Sequence, residues 1–184
     1  QFPIPAPDFL NTNSPWSPTV SIANWLLPRV VELTFTAWDL EAFGVDCGYA
    51  GPPFRWDEDR RSLLRAEIDA AFFHLYLGTP DEWARVATPS LKANLPTPRD
   101  AVAHITESFQ VLTHKDIAAF STYRTKDTIL SIYDEMAEAT RTGKPYETRL
   151  DPPPADPSCR HPESTRPSWA PTPEREGIAN VQPR

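Results

Sequence analysis

The side chains of this chain best placed for chemistry are cations. Arg55, Arg60, Arg61 and Arg65 cluster where a helix is expected to begin. Tyr123-Arg124-Thr125-Lys126 stands before another expected helix, with Lys115 a few residues earlier. Guanidinium and ammonium groups beside a hydroxyl, an aromatic ring and a helix N-terminus are the groups that meet nucleic-acid phosphates. The same spacing allows a second outcome. The first arginines can pair with Asp57, Asp59 and Asp69 at helical intervals and form a solvated face. In the second cluster Tyr123 can pack, Arg124 can pair with Asp127, and Thr125 can cap the helix. Arg60, Arg61, Lys115, Tyr123, Arg124 and Lys126 are thus candidate phosphate contacts, each with a structural alternative.

Other chemistries lack a required residue. Transfer of a methyl group to a base amino group needs a polar side chain, then Pro-Pro and an aromatic that stacks on the flipped base. Gly51-Pro52-Pro53-Phe54 has no polar side chain at its first position. Asp151-Pro152-Pro153-Pro154 has the acid and no aromatic. The six glycines are scattered from 44 to 177 and form no phosphate-cradling loop. Pro80-Asp81 can open a nuclease site, but no Glu is followed two residues later by Lys. His74, His104, His114 and His161 have no metal spacing with Cys47 and Cys159. His104 and Glu107 share a helical interval, which reads as a solvated or hydrogen-bonded pair. No catalytic residue and no cofactor ligand is assigned.

The elements that would position these groups are helices. Val30, Leu33, Ala37 and Leu40 recur at helical spacing after Pro28, with Val31, Phe35, Trp38 and Phe43 beside them. Gly48 and Gly51-Pro52-Pro53 end that helix. Asp57 is a good N-cap for a second helix, and Leu64, Ile68, Ala71, Phe72 and Leu75 mark its core face. Gly78 stops it, and Thr79-Pro80-Asp81-Glu82 is a capping box for a short helix. Residues 88–98 hold three prolines and read as loop. Thr97-Pro98 starts a further helix through Val102 and Ile105, and Thr113 caps a turn through Ile117 and Phe120. A last helix spans about Lys126 to Arg141, with Ile129, Ile132, Tyr133 and Met136 on one face and Gly143 as its stop. Trp38, Trp56 and Trp83 are expected in the core. The fold class expected is mainly α, an irregular domain of four to six helices.

Of the 22 prolines, ten follow Lys144 and six lie at or before Pro28. The expected organisation is an extended arm or linker over 1–27, a helical domain over 28–144, and a largely disordered Pro-rich tail over 145–184. Truncation after Pro157 is then expected to leave the melting temperature unchanged. Gln at position 1 suggests a truncated gene product or a piece cut from a longer chain. No run of 18 apolar residues occurs, so no membrane helix is expected. No basic segment followed by an apolar one opens the chain, so no secretory signal is expected. Two separated cysteines read as free thiols in a reducing cytoplasm. The net charge of −7 counts against a non-specific nucleic-acid binder.

Two blocks carry a resemblance. The first, LTFTAWDLEAFGVDCGYAGPPFRWDEDRRSLLRAEIDAAFFHLY, runs from Leu33 to Tyr76. The second, FQVLTHKDIAAFSTYRTKDTILSIYDEM, runs from Phe109 to Met136. Together they resemble the C-terminal region of type II (type IIG-like) restriction–modification methylases that methylate adenine in DNA. The likeness covers roughly residues 26–157. It rests on Glu32 to Thr34, Thr36 to Leu40, Phe43, Gly48, Tyr49, Gly51 to Phe54, Trp56 to Glu58, Arg60 and Arg61. In the second block it rests on Phe109, Val111, Leu112, Lys115 and Tyr123 to Thr125. The stretch Thr88–Ala103 departs from the family. The resemblance implies a DNA-acting parent enzyme in a bacterial defence system, whose methylase and target-recognition domains lie upstream. S-adenosylmethionine and magnesium are implied for that parent, and none for this chain. Two roles follow for this region. One is an accessory DNA-recognition region using the six candidates above. The other is a structural helical module that docks on the methylase or recognition domain without touching DNA.

Overall fold

The computed structural model describes residues 6–168 and Ala170. The fold is mainly α, as expected, with eight α-helices among the described residues where four to six were anticipated. Three of the eight are short, and of these Pro80–Val86 and Pro89–Asn94 are capped by Thr79 and Thr88.

The chain opens with a 3-10 turn over Pro7–Asn11 and a small antiparallel hairpin, β1 (Asn13–Ser14) and β2 (Ser17–Ser21). The first long helix, α1, spans Ile22–Thr34 and starts well before Pro28. Ser21 Oγ accepts the Asn24 N–H at 3.2 Å, which sets the start. Pro28 lies inside α1. Its missing N–H deprives the carbonyl of Asn24, an exposed residue that water can serve. Beyond Phe35 the apolar residues belong to a 3-10 turn, Trp38–Leu40, and to α2, Glu41–Asp46.

Helix α3 spans Glu58–Leu77, with Asp57 Oδ1 accepting the Arg60 N–H at 2.9 Å. Helix α4, Pro80–Val86, carries the expected capping box between Thr79 and Glu82. The segment read as loop contains α5, Pro89–Asn94, because Thr88 caps the Leu91 N–H and Pro89 stands where its lost N–H costs nothing. Helix α6 follows over Pro98–Glu107, capped by Thr97 and Asp100. Helix α7 spans Gln110–Phe120, a longer element than the turn expected there. Helix α8 spans Arg124–Thr142 and ends at Gly143 in the left-handed region (φ 71°).

The centre of the molecule is the packing of α3 on α8. Ala66, Ala70 and Ala71 are buried on α3, and small side chains let the helices approach closely. Opposite them α8 buries Ile129, Leu130, Ile132, Tyr133, Met136 and Ala139. Leu64 is fully buried and Trp38 nearly so, as expected. Leu33, Ile68, Phe72 and Leu75 are only half-buried. The covered residues of α3 are Arg61, Leu64, Glu67 and three alanines, and Ile68, Phe72 and Leu75 flank them.

Both supposed tails are part of this core. Trp16, in the region read as an arm, is 0 % exposed and meets Trp25 edge-on at 5.2 Å. Its carbonyl accepts the Tyr146 N–H at 2.7 Å, so the two ends of the chain are joined. Tyr146 and Leu150 are buried. A second cluster, Val31, Phe35 and Phe54, is covered by Tyr49, Ala155 and Cys159 among others. Phe54 bridges Arg160 as an isolated strand pair, and the Pro53 carbonyl accepts the His161 N–H at 2.8 Å. The segments read as an extended arm and a largely disordered tail are thus packed on the domain through Trp16 and through residues 146–161. The end of the expected tail, 171–184, lies outside the described residues.

Candidate functional site

Two buried carboxylates organise the polar interior. Glu67, 0 % exposed on α3, receives Arg29 Nε of α1 on one oxygen at 2.7 Å. Its other oxygen accepts Tyr146 OH at 3.0 Å, Thr148 Oγ1 at 2.6 Å and the Arg149 N–H at 3.2 Å. Burial is the main reason the Tyr146 hydroxyl titrates well above its ordinary range, and the adjacent Glu67 charge adds to it. Glu32 on α1 is the second centre. It pairs with Arg60 and accepts the Ala155 N–H at 2.7 Å. Arg60 also donates to the carbonyls of Pro152 and Pro153, at 2.7 and 3.0 Å. Both centres fasten the chain beyond Tyr146 onto α1 and α3.

This geometry decides the fate of the candidate phosphate contacts. The Arg60 side chain is 12 % exposed and its donors are occupied by Glu32 and the proline carbonyls. Arg61 is buried, lies 3.6 Å over the Trp56 ring, and donates to the Leu33 carbonyl at 2.8 Å. Neither presents a free guanidinium, which corrects both the phosphate-contact and the solvated-face readings of this pair. Arg124 sits 4.7 Å over the Phe120 ring and pairs with Asp59 of α3 at 3.2 Å, not with Asp127. Lys126 pairs with Glu107 of α6 at 2.9 Å, and Tyr123 OH donates to the Thr106 carbonyl at 2.8 Å. Thr125 does not cap α8. Its N–H is received by Asp116 of α7 at 2.6 Å. Lys115 alone of the five cations is exposed and forms no ion pair with any described residue.

The remaining motifs are structural. In Gly51-Pro52-Pro53-Phe54 the aromatic is 0 % exposed and packs in the second cluster, out of reach of a base. A Cβ on Gly51 would stand 3.0 Å from Arg160 Nη1 and from Tyr49 OH. No group of three or more His, Cys, Asp and Glu among the described residues could hold a metal ion. No described helix is long and apolar enough to cross a membrane.

Sequence reasoning missed one surface. Helix α7 is turned inside out relative to an ordinary amphipathic helix. The residue it buries is Asp116, while Val111, Leu112, Ile117 and Phe120 stand exposed, Val111 at 72 %. Phe109, just before α7, is also exposed. An open cavity of about 480 Å³ lies at the N-terminal end, lined by Ser108, Phe109, Gln110, Val111, Leu112 and Lys115. The sequence signal was weak, because α7 mixes Val111, Leu112, Ile117 and Phe120 with Gln110, His114 and Lys115, and this pattern did not say which side the domain covers. Trp56 was expected in the core and is exposed, its indole N–H held by Glu58 at 3.0 Å.

The described residues form a small helical domain with polar locks and a helix, α7, that leaves several apolar side chains exposed. The chain matches no family model, no curated protein and no solved structure.

Proposed function

We propose that this chain is a structural helical module of a restriction–modification methylase, docking on the methylase or target-recognition domains and acting in the cytoplasm. The observation that carries this choice over DNA recognition is the use of the cations. Four of the five cationic candidates are partnered within the chain: Arg60 and Arg61 in its interior, by Glu32 and by Trp56 with the Leu33 carbonyl, and Arg124 and Lys126 in surface pairs with Asp59 and Glu107. A phosphate-binding surface needs several free cations side by side, and a net charge of −7 adds repulsion. The exposed apolar residues of α7 support docking on protein. The family placement and the parent's S-adenosylmethionine and magnesium rest on the sequence resemblance alone. In this reading methyl transfer and cleavage belong to the parent, and this region holds no reacting group.

A salt titration of duplex DNA binding tests the choice. The expected result is no measurable affinity at about 50 mM salt. Affinity falling steeply with salt, with a shallower slope for Arg124→Ala, would instead establish the DNA-recognition role.

A further inference from the structure

We draw no further inference here: the strongest candidate, the surface patch of exposed apolar side chains on helix α7 beside the open cavity at its N-terminal end, carries nothing because nothing in the structure shows what covers it.

Discussion

Glu67 shows how much of this molecule depends on single buried charges. Its carboxylate is closed off from water and shared between Arg29 and three donors of the C-terminal segment. Replacing one partner of a buried pair leaves the other charge without compensation. Glu67→Gln should therefore cost about 3 kcal/mol in chemical denaturation. A double replacement by well-packed apolar residues, Arg29→Met with Glu67→Leu, should recover part of that loss, because it removes both desolvation penalties. His74 provides the pH dependence. Its ring stacks on Tyr133 with centroids 3.9 Å apart, and Nε2 lies 2.9 Å from the Tyr133 carbonyl. Burial holds its pKa below the ordinary 6.5. The folded state therefore resists protonation more than the unfolded state. The His74 contribution is complete above about pH 6.5 and is lost as pH falls below that value towards the depressed native one. Melting temperatures measured from about pH 7 to pH 5 should fall less steeply in His74→Phe than in the parent chain.

At the scale of elements, capping explains most of the boundaries, and two glycines separate two causes of strain. Gly78 closes α3 at φ 70° and ψ −165°, a region that is nearly glycine's alone. A Cβ there would also stand 2.7 Å from Glu82 Oε2, the carboxylate that completes the α4 capping box. Gly143 ends α8 in the left-handed helical region with open space around it. Gly78→Ala should thus cost about 2–3 kcal/mol, while Gly143→Ala should cost about 1 kcal/mol. Equal losses in urea titrations would show that the capping-box collision is relieved by rotation of Glu82. Helix α7 teaches a different lesson. Its residues form a helix whichever side is covered, so its existence is local but its exposed apolar face is not.

For the whole molecule, the C-terminal segment is a structural strap. Beyond Pro157 the Cys159 carbonyl accepts the Arg55 N–H, His161 bonds to Pro53, and Arg166 pairs with Glu41 at 2.7 Å. Cys159 also covers the Phe35–Phe54 cluster. Truncation after Pro157 should lower the melting temperature by more than about five degrees in calorimetry, against the unchanged value that composition alone suggested. Prolines forbid regular helix in this segment, yet they do not prevent an extended chain from packing. The carbonyls of Pro152 and Pro153 become acceptors for Arg60.

What the sequence determined by itself is the local part. The mainly α class, the starts of α3, α4 and α6, and the stops at Gly78 and Gly143 follow from capping residues, apolar periodicity and glycine, all acting within a few positions. The tertiary structure decided where each charge went. Arg60 meets Glu32 across 28 positions, and Glu67 meets Tyr146 across 79. No window of sequence contains such partners, and an arginine near a helix start looks alike whether it faces phosphate or a buried acid. The same holds for Trp16 and the strap. Their burial comes from joining the two ends of the chain, a long-range contact whose favourable burial offsets ordering entropy only once both segments are in place.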